Sequence, residues 1–76
     1  MNASVQQPSR PRSSSDVLVP RLRAVRQRVA LSQEELAARA GVSRTTIIKL
    51  EAGRDAWPKT VRALAKALGV KPEDLQ

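Results

Sequence analysis

The most constraining feature of this 76-residue sequence is the position of its three glycines. Gly41, Gly53 and Gly69 each stand directly after a short stretch whose apolar residues recur three and four positions apart, which is the spacing of one helix face. Glycine commonly ends an α-helix because it adopts the left-handed conformation without strain. The pattern therefore predicts three helices with their own stop signals, in a chain long enough for one small domain.

Another helix is predicted ahead of these three. Its apolar stripe has the spacing i, i+4, i+7 and i+11 and consists of Leu18, Leu22, Val25 and Val29. Before this stripe the chain is mostly Ser, Pro, Gln, Asn and Arg, which have little apolar surface to bury. We therefore expect residues 1–16 to form a disordered basic tail and residues 17–76 to form the folded domain.

The second and third helices have clear start signals. Ser32 and Glu35 have the spacing of a capping box, in which each side chain accepts a hydrogen bond from the other residue's backbone N–H. Leu31 and Leu36 flank that cap as a hydrophobic staple. Ser43 is expected to cap the third helix. These signals agree with the glycine stops, so two short helices are predicted with a very short turn between them.

The fourth helix is predicted to begin at Pro58, because proline is tolerated in a first helical turn. Its buried stripe is expected to consist of Val61, Leu64, Ala65 and Leu68. Pro72 then begins a last short turn that carries Leu75. The prediction is an all-α fold, a four-helix bundle plus a short fifth helical turn.

The net charge and the composition limit the classes of function that the chain can have. Fourteen Lys and Arg against seven Asp and Glu give a net charge of +7, which is typical of a small domain that meets nucleic acid or an anionic membrane. Because the sequence contains no Cys and no His, the chain can form no disulfide and lacks the usual zinc ligands and the commonest general base. We therefore expect no metal, no cofactor and no catalytic activity. With no signal peptide or membrane-spanning segment in the sequence, the chain is interpreted as cytoplasmic.

A very short connection separates the second and third helices: Gly41, Val42 and Ser43. Such a connection makes the third helix cross the second steeply, as in helix-turn-helix units. In the segments LSQEELAARAGVSRTTIIKLEAG (31–53) and VRALAKALGVKPEDL (61–75), the sequence resembles the lambda-repressor and Cro-like (XRE-type) helix-turn-helix family of bacterial and phage regulators. The resemblance covers roughly residues 18–75.

The resemblance implies sequence-specific binding of double-stranded DNA by a transcriptional regulator. The sequence departs from the family pattern at two positions. Ala30 stands at the end of helix one, where the family often has Gly, and Trp57 stands where a small polar residue is more common. We expect Trp57 to cover the junction of helices three and four, with insertion into DNA as the alternative.

In this family the third helix lies in the DNA major groove, so the resemblance implies which side chains contact bases. At 100° per residue, the outward positions of that helix are occupied by Arg44, Thr45, Ile48 and Lys49. Arg44 matches two acceptors of guanine, Thr45 offers a hydrogen bond or a methyl group, and Ile48 suits a thymine methyl. The alternative is a solvated helix face with one exposed aliphatic residue.

Four further residues are expected at the DNA backbone: Gln33, Ser43, Arg54 and Lys59. The family uses a Gln at the start of helix two for a phosphate contact, and Gln33 occupies that place. Ser43 either caps the third helix alone or contacts phosphate as well. Arg54 lies on the loop that the family places along the backbone, and Lys59 is a candidate of the same kind. The alternatives are an ordinary helix-opening Gln and two solvated cations.

The resemblance also implies an ion pair behind the outward residues of helix three. Family members commonly pair an Arg at the place of Arg26 in helix one with a Glu at the place of Glu51 in helix three. We expect this pair to be partly buried and to hold helix three against the bundle. The alternative is two solvated charges on separate helices.

The expected partner is double-stranded DNA bound by a homodimer, because one small module rarely reaches enough base pairs. Arg10 and Arg12 are expected to add non-specific attraction, with an arm in the minor groove as the alternative. The alternative function is an antitoxin or adaptor whose main partner is a protein, such as a toxin. Membrane binding is disfavoured because the cations do not form one continuous lysine face.

Overall fold

The computed structural model describes residues 17–76. Within that range the chain forms α1 (Leu22–Arg28), α2 (Gln33–Ala40), α3 (Arg44–Glu51), α4 (Pro58–Leu68) and a C-terminal 3-10 turn (Pro72–Leu75). This confirms the predicted all-α architecture of four helices and a short fifth turn. The predicted tail, residues 1–16 with Arg10 and Arg12, lies outside the described residues.

Helix α1 begins later than predicted, at Leu22. The cause is Pro20, which has no backbone N–H and whose ring disfavours the helical conformation of the residue before it. Val19 consequently lies ahead of the helix and is buried in the core, whereas Leu18 is 56% exposed. Val29 lies beyond the end of α1 and is also exposed. The prediction that the stripe runs from Leu18 to Val29 is therefore wrong at both ends.

A short extended segment leads into α1. Val17 and Ala56 form one antiparallel bridge, in which the N–H of each donates to the carbonyl of the other at 3.2 Å and 2.8 Å. The N–H of Arg21 donates to the carbonyl of Leu75 at 3.1 Å. These bonds attach the start of the described chain to the α3–α4 loop and to the C-terminal turn.

The turn between α1 and α2 contains a left-handed residue that is not glycine. Ala30 has φ +60°, and its N–H donates to the carbonyl of Gln27 at 3.0 Å. The next N–H, that of Leu31, donates to the carbonyl of Arg26 at 3.2 Å, which completes a Schellman-type helix end. At the position where the family often has Gly, this chain therefore holds an alanine in a strained conformation.

The caps of α2 and α3 are those that the sequence predicts. The N–H of Glu35 donates to Ser32 Oγ at 3.0 Å, and the N–H of Ser32 donates to Glu35 Oε1 at 2.8 Å. The bond from the Ser32 backbone is the main reason that the pKa of Glu35 lies below its ordinary value. Gly41 ends α2 at φ +74°, and Ser43 caps α3 by accepting from the N–H of Thr46 at 3.1 Å. The helix-turn-helix connection is thus made by local contacts.

One side of every helix forms a single core, which consists of Val19, Leu22, Val25, Leu36, Ala37, Ile47, Leu50, Ala56, Val61, Leu64, Ala65, Leu68 and Leu75. All four predicted apolar residues of α4 belong to it. Helix α3 contributes only Ile47 and Leu50, so its opposite side is left facing outward. In the described part of the chain, no helix has both the length and the apolarity needed to cross a membrane.

Candidate nucleic-acid interface

The side of α3 that faces away from the core carries the four side chains predicted to contact bases. Arg44, Thr45, Ile48 and Lys49 are all exposed, and Ile48 is 41% exposed although it is a large aliphatic residue. We call these four residues the outward face of α3. They lie together because the buried positions of the helix occupy its opposite side.

The residue pair Arg26 and Glu51 joins α1 to the end of α3. Arg26 Nε donates to Glu51 Oε2 at 2.6 Å, and Nη2 donates to Oε1 at 3.1 Å. The third nitrogen, Nη1, donates to the carbonyl of Leu31 at 2.9 Å. The two side chains are 10% and 6% exposed. The structure therefore brings these two predicted residues together in a nearly buried, bidentate ion pair.

Gln33 takes part in the same cluster. Its Nε2 donates to Glu51 Oε1 at 3.0 Å, so one carboxylate accepts hydrogen bonds from both α1 and α2. A phosphate contact is predicted for Gln33 from the sequence, and the bond to Glu51 is an additional finding. The only available signal was that Gln33 opens α2 while Glu51 closes α3, and a single sequence does not show that these two ends meet. We call Arg26, Gln33 and Glu51 the anchor cluster.

The electrostatics of the anchor cluster favour the charged form of Glu51. Desolvation raises the pKa of this carboxyl, but hydrogen bonds from Arg26 and Gln33, with the charges of Arg26 and Arg23, outweigh it and hold the pKa below its ordinary value. Glu51 is therefore ionised at neutral pH and matches the charge of Arg26. The cluster can hold α3 in place without leaving a buried charge unpaired.

The remaining predicted residues lie at helix ends. Ser43 Oγ already accepts the Thr46 N–H and lies 2.9 Å from Thr46 Oγ1. Arg54 is exposed in the α3–α4 loop, and Lys59 is exposed in the first turn of α4. Trp57 is the N-cap residue of α4, and its side chain is 49% exposed. We predicted that it would cover the α3–α4 junction, and only about half of its surface is buried there.

The sequence is similar to known regulators. The family described as "Helix-turn-helix" matches residues 22–75. An uncharacterised HTH-type transcriptional regulator of Methanocaldococcus jannaschii is 50% identical over 46 residues, which are 59% of this chain and 70% of that protein. One of Methanothermobacter thermautotrophicus is 50% identical over 50 residues, which are 63% of this chain and 71% of that protein.

The fold is similar to a solved structure. The crystal structure of a restriction-modification controller protein from Aeromonas hydrophila superimposes with a TM-score of 0.71 at 37% sequence identity, and the match covers 74% of this chain and 86% of that one. The match to the family spans well over half of the chain and includes both helices of the helix-turn-helix unit. The chain therefore belongs to the Cro/C1-like (XRE-type) helix-turn-helix family of DNA-binding transcriptional regulators.

Proposed function

We propose that this DNA-binding regulator recognises its site by placing α3 in the major groove of double-stranded DNA. The observation that carries the proposal is the division of α3 into two sides. Its inner side is held by Ile47, Leu50 and the anchor cluster, and its outward face is exposed. A helix held firmly from behind and exposed in front suits direct contact with base edges.

The residues of the outward face have complementary roles in this proposal. Arg44 donates two hydrogen bonds to guanine N7 and O6, and such a pair discriminates against a wrong base by about 1–3 kcal/mol. Ile48 contacts a thymine methyl, which accounts for an aliphatic side chain left 41% exposed. Thr45 and Lys49 contact neighbouring base edges. The side chains at the first turn of α3 carry most of the sequence preference.

Gln33, Ser43, Arg54 and Lys59 contact backbone phosphates in the same proposal. Supporting this, all four lie at helix starts or in the loop after α3, where backbone N–H groups are also available. The Nε2 of Gln33 has two hydrogens, so its bond to Glu51 leaves one for a phosphate. These contacts set the position of α3 on the duplex and carry little sequence information.

The proposal includes a homodimer on a two-fold DNA site, because a single module of this size contacts few base pairs. We expect such a dimer to use the exposed edge near α4 and residues 70–75, or else to be weak. Leu75 is fully buried within the domain, so the exposed Lys71 and Glu73 of that segment remain for such a contact. As a DNA regulator the protein acts in the cytoplasm and without enzymatic activity. No feature of residues 17–76 favours the antitoxin or adaptor alternative.

The test begins with selection of bound duplexes from a random pool, which gives the preferred site. Arg44→Ala is then expected to weaken binding to that site by about 1–3 kcal/mol and to relax the preference at one base pair. Arg54→Ala is the matched control, because it removes the same charge from a loop and is expected to weaken good and poor sites alike. An Arg44→Ala protein with unchanged sequence preference would refute the assignment of α3 as the recognition helix.

A further inference from the structure

A cleft of about 460 Å³ opens beside the outward face of α3. Its walls come from α1, the start of α2 and α3, and include Arg23, Arg26, Ser32, Gln33, Ile48 and Glu51. Ile48 belongs both to this cleft and to the outward face. DNA that lies against the outward face therefore passes the mouth of the cleft.

The charges in the cleft do not balance. Arg26 and Glu51 neutralise each other in the anchor cluster and are nearly buried. Arg23 is exposed. Within residues 17–76 the ion pair that forms joins Arg26 to Glu51, and no carboxylate lies within 4 Å of the Arg23 guanidinium. One unit of positive charge thus remains on a side chain that lines the cleft.

The other polar side chains of the cleft are engaged within the protein. Gln33 Nε2 donates to Glu51, and Ser32 Oγ accepts the N–H of Glu35. All three guanidinium nitrogens of Arg26 donate to protein oxygens. Within the described residues, Arg23 is the charged side chain of the cleft that makes neither a hydrogen bond nor an ion pair with the protein. Its guanidinium is thus available to a ligand at the mouth of the cleft.

We propose that Arg23 binds a backbone phosphate of the DNA at the mouth of this cleft, an inference that rests on the proposed DNA-binding function. A guanidinium donates two parallel hydrogen bonds to a phosphate, and its charge is always present. The contact lies next to Ile48, so it fixes the distance between α3 and the DNA backbone. It adds α1 to the interface, whose other proposed contacts within residues 17–76 lie on α2, on α3 and on the residues that follow α3.

The chain offers a matched control on the same helix. Arg28 is also exposed on α1, but it lines a different cleft together with Arg21, Val70 and Asp74. Arg23→Gln and Arg28→Gln therefore remove the same charge from α1 and differ in the cleft that they change. Both side chains are exposed, so both variants are expected to keep the thermal midpoint of the parent within a few degrees.

The measurement is the dissociation constant of the full chain for its preferred duplex and for an unrelated duplex, by fluorescence polarisation, over a salt series from about 50 to 200 mM. Losing one phosphate contact lowers the slope of log K against log salt by about 0.9 per bound protomer, which corresponds to about fivefold weaker binding at about 0.15 M salt. We expect this loss for Arg23→Gln on both duplexes. For Arg28→Gln we expect less than half of it. Arg23→Lys keeps the charge and is expected to restore most of the slope.

Equal losses for Arg23→Gln and Arg28→Gln would overturn the inference, since only the overall charge would then matter. A changed base preference in Arg23→Gln would also overturn it, because a phosphate contact carries no sequence information. Both of these outcomes leave the proposed function intact. A parent protein that binds every duplex equally refutes the proposed recognition, whereas the difference between the two variants still decides whether Arg23 contacts phosphate.

Discussion

Breaking the ion pair of Arg26 and Glu51 is expected to destabilise the domain far more than breaking a surface pair. An exposed pair contributes at most about 1 kcal/mol, and a fully buried charge left alone costs about 3–5 kcal/mol. The two side chains are 10% and 6% exposed, so Glu51→Gln should cost about 3 kcal/mol. Arg26 then loses its negative partner and one of its two carboxylate acceptors, and keeps the carbonyl of Leu31 and one amide oxygen of the new glutamine. A folded unit of this size has a total free energy of unfolding of about 3–9 kcal/mol.

A double-mutant cycle measures the pair itself. The variants are Arg26→Met, Glu51→Gln and the double variant, each unfolded in urea and followed by far-UV circular dichroism. The double variant leaves no unpaired charge. Its loss of unfolding free energy should therefore be smaller than the sum of the losses in the two single variants, by a coupling energy of about 2 kcal/mol.

The control for this cycle is Glu35→Gln with Arg39→Met, an exposed pair one turn apart on α2. Glutamine at position 35 retains the acceptor of the capping box, and the expected coupling is about 0.3–0.5 kcal/mol. A coupling energy between Arg26 and Glu51 no larger than that of the control would refute the reasoning, because it would mean that burial adds nothing to the pair.

Two further outcomes concern stability. Ala30→Gly should raise the free energy of unfolding by about 0.5–1 kcal/mol, because a left-handed L-residue costs about 1–2 kcal/mol and glycine loses about 0.5–1 kcal/mol in chain entropy. Ala24→Gly inside α1 should instead lower the free energy of unfolding. A thermal melt in which the two substitutions shift the midpoint in the same direction would contradict this expectation. Because the folded pKa of Glu51 is depressed, its contribution is complete above its unfolded pKa of about 4.3 and is lost as pH falls through the folded pKa. The urea midpoint of the parent should therefore fall towards that of Glu51→Gln as the pH is lowered below about 4.3, and a constant difference would be the contrary result.

The elements that were predicted correctly are those with local signals. The starts and ends of α2, α3 and α4 depend on caps and stops within a few residues of each other, such as Ser32 with Glu35. The predicted start of α1 was wrong because the apolar periodicity continues across Pro20. The backbone constraint of this proline prevents the helix from beginning before it. A helix end is predicted correctly where a single local signal determines it, and wrongly where two signals compete.

The anchor cluster shows what a single sequence does not contain. The pairing of Arg26 with Glu51 came from resemblance to a family, since the two residues are far apart in the chain and their meeting depends on helix crossing. The bond from Gln33 to Glu51 and the placement of Arg23 in the same cleft needed the three-dimensional arrangement of α1, α2 and α3. Contacts between side chains on different helices are therefore the part of the site that only the structure supplies.

The bridge between Val17 and Ala56 has a consequence for local unfolding. It joins residues about 40 positions apart, so it forms late in folding, when the closure of that loop has already been achieved by the helices. Its two hydrogen bonds contribute about 0.5–1.5 kcal/mol each. At about 2 kcal/mol for these hydrogen bonds, and with Ala56 packed in the core, we expect the bridge to be open in no more than about 3% of molecules. The loop that carries Arg54 can therefore change its path without the unfolding of any helix.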